Sequence, residues 1–303
     1  MASQQDVIGS RAKFMICTPH APRPASAPPP APAFHAASFT VKVTGTGRPV
    51  IFIPGLACDG GIWDGTLAHL GGKVQAHVVS LAGFAGSPPI GKPLVPTARE
   101  DIIEYVRQNH LDHPIIVGHS LGAFLAYWIA ETAPDLIGGA VPVDGAPFFP
   151  ALFDPTATPE KVRPDVEQMA ASFAVLPPDA FATRMSRFLG QMISKPEDQQ
   201  RVGAVAGKSD PKTAGDAIAF VFTTDLRPDL GKIKAPVVLI VSDMKGQMPR
   251  DALVSTWNGL IAAIPRHELV VIDDSKHFVM LDQPEAFYAA LDKSLSATKG
   301  IPK

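Results

Sequence analysis

One serine, with a glycine two residues to either side, lies between a β-branched apolar run and a long apolar helix-forming run. Residues 113–123 read His-Pro-Ile-Ile-Val-Gly-His-Ser-Leu-Gly-Ala. Ile115, Ile116 and Val117 suit a buried strand, and the residues after Gly122 suit a buried helix. A strand that turns directly into a helix forces its central residue, Ser120, into a strained backbone conformation. Side chains at Gly118 and Gly122 would collide there. The turn would lift the Ser120 hydroxyl clear of the sheet, and the helix N-terminus behind it favours developing negative charge. The plainer alternative is a glycine-rich turn whose serine only caps the helix.

Composition sets the bounds. The chain has 303 residues, 46% of them apolar, enough for a large core and for an α/β domain with an inserted segment. A net charge of −2 gives no electrostatic case for nucleic acid or an anionic membrane surface. No apolar run approaches the roughly 20 residues of a membrane span. The two cysteines, Cys17 and Cys58, make no disulfide framework, and no spacing reads as a metal site. Residues 1–37 differ from the rest: from 19 to 33 they are almost only Pro, Ala and Ser. Such a stretch cannot bury enough surface to fold and predicts a disordered or polyproline-like tail. The short apolar run at residues 14–17 is no signal-peptide core. A remnant leader or a mis-assigned start stays open, and localisation with it.

Strands are expected at 39–43, 49–53, 75–81, 115–117, 136–143, 237–241 and 267–272, with helices between most of them. Thr97 and Glu100 have the spacing of a capping box for a helix over 97–109, and Trp63 and Leu67 pack a following helix on the sheet. Residues 150–224 break the alternation. They hold no credible strand and four helical segments, most opened by proline.

At this point the chain resembles the α/β-hydrolase family, from about residue 39 to residue 295. The resemblance rests on Gly118-His119-Ser120-Leu121-Gly122, on Pro54-Gly55-Leu56 after the second strand, and on His277 ahead of Pro284-Glu285. It implies a mostly parallel central sheet with helices on both faces and an inserted helical cap. The core would comprise residues 38–149 and 225–303, and the cap residues 150–224. It implies Ser120 as nucleophile, His277 as its base, and the backbone N–H groups of Leu56 and Leu121 as an oxyanion hole. Pro54 stands where the family commonly has histidine, which leaves a backbone donor untouched. The Gly-x-Gly-x-Ser turn of the family is approximated by residues 83–87, read here as structural.

Of nine histidines, His277 alone falls in a loop at the C-terminal edge of the expected sheet. His119 neighbours Ser120, but its side chain should point away. The acid has two candidates. Lys245 stands at the usual position, with Asp243 two residues early, while Asp144 ends the strand after the serine turn, a place some members use. Asp144 is preferred to Asp243, and Asp273 and Asp274 are ranked below both. In the cap Met169, Phe173, Met185, Phe188, Met192 and Phe220 recur at helical spacing. About half of them are expected to face a substrate, with Phe148, Phe149 and Phe278 contributed from the core.

These readings converge on a serine hydrolase cleaving a small to medium apolar or aromatic carboxylic ester through an acyl-enzyme. No metal or organic cofactor is implied. Two alternatives remain open. The same residues would serve a cofactor-free perhydrolase or a carbon–carbon bond hydrolase, and the displaced acid would suit a low-turnover, receptor-like binder.

Overall fold

The computed structural model describes residues 36–297. The expected proline- and alanine-rich tail therefore lies almost wholly outside the described residues. Seven strands form one sheet in the order β1-β3-β2-β4-β5-β6-β7. They are β1 (Phe39–Thr44), β2 (Pro49–Ile53), β3 (Gln75–Leu81), β4 (Ile115–His119), β5 (Gly139–Val143), β6 (Val237–Ser242) and β7 (His267–Ile272). Only β1 runs antiparallel, against β3. The middle strands β4, β5 and β6 are buried at every residue. That is why they read as continuous apolar runs, whereas edge strand β1 alternates.

The helices are α1 (Asp64–Leu70), α2 (Leu94–Gln108), α3 (Leu121–Thr132), α4 (Pro159–Ala174), α5 (Pro178–Gly190), α6 (Pro196–Ala206), α7 (Pro211–Thr223), α8 (Arg250–Ile261), α9 (Val279–Asp282) and α10 (Pro284–Ala297). Those from α4 to α7 follow one another with no strand between β5 and β6. Trp63 is fully buried, with its ring 5.5 Å from Phe52 of β2 and 6.3 Å from Phe287 of α10. So the segment entering α1 is pinned to the sheet. Helices α4 and α7 pack closely: a Cβ at Gly215 would stand 2.7 Å from the Ala170 carbonyl oxygen.

Two local expectations differ from the structure. Helix α2 begins at Leu94, three residues before Thr97, and the Thr97 hydroxyl donates to the Pro93 carbonyl at 2.7 Å. The capping box does not form, because burial of Leu94 and Val95 draws the first turn upstream. Strand β5 begins at Gly139, since the N–H of Leu136 closes a turn onto Ala133.

Helix α3 carries a buried acid, Glu131, with one carboxyl oxygen lacking a hydrogen-bond partner. Burial, and next the Asp229 charge, push its pKa up to about 8 from 4.5, against opposing pulls from Lys232 and Arg99. A folded-state pKa above the unfolded one gives stability that is full below about pH 4.5 and lost as pH rises through about 8. Glu131→Gln is expected to flatten that decline. It should stabilise the fold at pH 8 by about 1–2 kcal/mol after allowance for screening by nearby cations. Urea midpoints at pH 5 and pH 8 check this, and parallel pH dependence in both proteins would refute it.

Candidate active site

Four loops meet at the C-terminal edge of the sheet. Chain connections leave β2 and β4 in opposite directions there, which opens a crevice between neighbouring strands. The first loop is the turn from β4 into α3. Ser120 holds φ +55° and ψ −112°, a conformation that costs a non-glycine residue about 1–3 kcal/mol. A Cβ at Gly118 would stand 2.0 Å from the Gly122 carbonyl oxygen, and one at Gly122 would stand 2.3 Å from that of Ile53. Both glycines are thus sterically required. The Ser120 N–H donates to Val143 at 2.9 Å, and its carbonyl accepts from Phe124 at 3.1 Å, so the strained residue is held from both sides.

The second loop follows β5. Asp144 is buried, with φ +46°, and its N–H donates to Ile240 at 2.8 Å. Its Oδ1 accepts the Ser242 N–H at 2.7 Å and its Oδ2 accepts from Nδ1 of His277 at 2.6 Å. With Nδ1–H given to a carboxylate, Nε2 of His277 is the free basic nitrogen. His277 comes from the third loop, after β7, and lines the same cavity as Ser120.

Asp243 is turned elsewhere, and here the reading of two candidate acids is corrected. Its Oδ1 accepts the N–H groups of Lys245 at 2.9 Å and Ser275 at 3.1 Å. It ties the loop after β6 to the loop after β7 and makes no bond to His277. Met244 and Lys245, each at φ +53°, fold the chain back at once and leave the carboxylate capping that turn.

The fourth loop follows β2. Gly55 and Cys58 close a turn at 3.2 Å with Ala57 at φ +59°. That bond uses the N–H of Cys58, not that of Leu56. Leu121 is the first residue of α3, so its N–H has no acceptor within the helix. Both Leu56 and Leu121 line the cavity beside Ser120.

The cavity has a volume of about 720 Å³ and a mostly apolar wall. Phe149, Met169, Phe173, Phe188, Met192 and Phe278 line it. Phe148 does not. It is fully buried with the Arg227 guanidinium 4.8 Å from its ring centre, because extended backbone at 148 sends consecutive side chains to opposite sides. Met185 is fully buried core, and Phe220 stacks on Trp128 at 5.2 Å. Ile218 and Val221 of α7 and Leu253 and Trp257 of α8 also line the cavity. Helical periodicity marks a buried face, but it does not by itself distinguish a cavity wall from core.

Asp282 and His119 are two further residues the sequence reading did not assign to the site. Asp282 accepts the Ser194 N–H at 2.8 Å, the Ser194 hydroxyl at 2.6 Å and the Lys276 N–H at 2.8 Å. The Phe278 N–H donates to Met192 at 3.3 Å. The segment after α5 is thereby sewn to the loop that carries His277. The Ser194 partner lies 88 residues away, so no local spacing signals it. His119 does not point away from the site: it lines the same cavity as Ser120, and its ring packs 4.6 Å from that of His277.

A hydroxyl on a strained strand-to-helix turn, an imidazole bonded to a buried carboxylate and an apolar cavity beside both are the arrangement of a hydrolase on an α/β sheet. The chain belongs to the alpha/beta hydrolase family, whose family model matches residues 50–290. It is 26% identical over 265 residues to the pimeloyl-[acyl-carrier protein] methyl ester esterase of Nitrosomonas europaea, covering 84% of this chain and 99% of that one. Among solved structures it is similar to a thermophilic esterase from Thermogutta terrifontis, with a TM-score of 0.71, 20% identity and coverage of 86% and 93%. It is also similar to an enol-lactonase from Burkholderia xenovorans, with a TM-score of 0.69, 17% identity and coverage of 85% and 96%. The chain is a carboxylic ester hydrolase.

Proposed function

We propose that this esterase cleaves a small to medium apolar ester by nucleophilic catalysis at Ser120. The observation that carries the reading is the 2.6 Å bond between His277 Nδ1 and the buried Asp144 carboxylate, beside a serine held at φ +55°. A serine hydroxyl is a weak nucleophile at neutral pH and needs a base with a fixed tautomer. His277 Nε2 takes the Ser120 proton as the oxygen attacks the ester carbonyl. The oxyanion that forms is held by the N–H groups of Leu56 and Leu121 and by the N-terminal end of α3. His277 then protonates the leaving alcohol, and water frees the acyl group by the same route.

Cavity chemistry supports the substrate class. Its wall is dominated by Phe, Met, Leu, Ile and Val side chains, and its cation is Arg184, at the cap. An acyl chain or aromatic ring gains about 25 cal/mol per Å² of apolar surface buried there, while a sugar would lose hydration with few polar groups on the wall to replace it. The relative from Nitrosomonas europaea is named for a methyl ester, which fits a small alcohol leaving toward solvent and an acyl chain held inside.

A p-nitrophenyl ester series from two to twelve carbons tests this, together with stoichiometric labelling by a fluorophosphonate. We expect kcat/KM to rise with chain length as apolar surface enters the cavity and then to level off, with one label per chain on Ser120. No turnover together with no label would overturn the reading.

A further inference from the structure

We propose that His119 is a positioning residue that fastens the backbone of His277 to the turn carrying Ser120, and so sets the approach of base to nucleophile. This rests on the roles given above to Ser120 and His277. His119 ends β4 beside Ser120, and both line the cavity: a Cβ at Gly55 would stand 2.9 Å from His119 Nδ1 and 3.2 Å from Ser120 Cβ. There it meets the loop after β7. Its ring lies 4.6 Å from that of His277 and 4.5 Å from that of Phe278, and the residue is fully buried.

Nε2 of His119 lies 3.0 Å from the His277 carbonyl oxygen. A carbonyl only accepts, so Nε2 carries the proton and donates it. Nδ1 is then a bare acceptor. It is buried, and among the described residues nothing donates to it. What faces it is Gly55: a Cβ there would stand 2.9 Å from Nδ1. The ring is wedged between the loop that begins with Gly55 and the loop that carries His277. Burial, and next the neighbouring His277, hold its pKa well below the usual value, so the ring stays uncharged beside the imidazolium that forms during the reaction.

An orphaned buried nitrogen is a cost that leucine or phenylalanine would not carry among the same neighbours. What the histidine supplies in return is one N–H, and that N–H goes to the backbone of His277. The base is then held at two points, its ring by Asp144 and its main chain by His119. Two fixed points restrict both where the ring sits and which way Nε2 aims. A misplacement of about 1 Å at such a point can cost on the order of a hundredfold in rate.

The test compares His119→Leu, which removes the donor, with His119→Gln, whose amide can return an N–H to the same carbonyl. Steady-state constants on a p-nitrophenyl ester, the fluorophosphonate labelling rate of Ser120 and thermal midpoints are measured for both, beside His277→Ala. We expect His119→Leu to lower kcat by about thirtyfold or more with KM within about threefold, labelling to fall in parallel, and His119→Gln to regain at least about tenfold. A His119→Leu enzyme within about threefold of wild type, beside an inactive His277→Ala, would overturn the inference and leave the triad standing. Loss expressed only in KM, or no recovery in a folded His119→Gln, would also overturn it. Activity retained in His277→Ala would instead overturn the reading beneath it. The wild type supplies a readout that needs no variant: nitrogen-detected NMR at neutral pH should find His119 as the Nε2–H tautomer. A proton on Nδ1 would contradict the proposal.

Discussion

Ser120→Ala is expected to lower kcat/KM on any ester substrate by about 10⁴–10⁶-fold while leaving the fold intact. The hydroxyl is the proposed attacking atom, and no neighbouring group can replace it. Alanine keeps the Cβ, so the strain at φ +55° and the bonds to Val143 and Phe124 are unchanged. A thermal midpoint close to wild type is therefore part of the expectation. Residual rate over the uncatalysed reaction would come from the oxyanion-hole donors and binding alone. Burst and steady-state assays check both parts, and turnover above about a tenth of wild type would remove Ser120 from the mechanism.

Asp144→Asn is expected to cost about 10³–10⁴ in kcat, against less than about threefold for Asp243→Asn. The geometry explains why so small a change would weigh so much. Oδ1 of Asp144 must remain an acceptor, because the buried Ser242 N–H points at it. An asparagine therefore keeps its oxygen on Ser242 and turns its NH₂ toward His277. Nδ1 becomes the acceptor, the proton moves to Nε2, and the base loses the lone pair that would take the serine proton. Asp243 only accepts backbone N–H groups at a turn. If Asp243→Asn proved the more damaging, the acid would be assigned to the wrong loop.

Much of this fold was legible because its signals are local. The strands β2, β4 and β6 are apolar at nearly every residue since sheet neighbours and helices cover both faces. The proline-opened helices between β5 and β6 were legible because proline suits the first turn of a helix. The Gly118–Gly122 spacing carries its reason within five residues: the two close approaches there admit no Cβ. Local signals misled where burial outweighed a short-range preference. Thr97 and Glu100 have capping-box spacing, yet Leu94 and Val95 are buried and draw α2 three residues upstream.

By itself the sequence determined the order of strands and helices, the turn that must lift Ser120, and the edge of the sheet where the loops gather. These follow from backbone sterics and hydrophobic period, which act over a few residues. Tertiary structure alone decided which carboxylate meets His277. Asp144 and His277 are 133 residues apart, and only the pairing of β5 with β6 and of β6 with β7 brings their loops together. It also decided that Phe148 faces Arg227 while Phe149 faces the cavity, and that His119 lies against His277. Side-chain direction and long-range register depend on the packed sheet as a whole, and no short stretch of the chain encodes them.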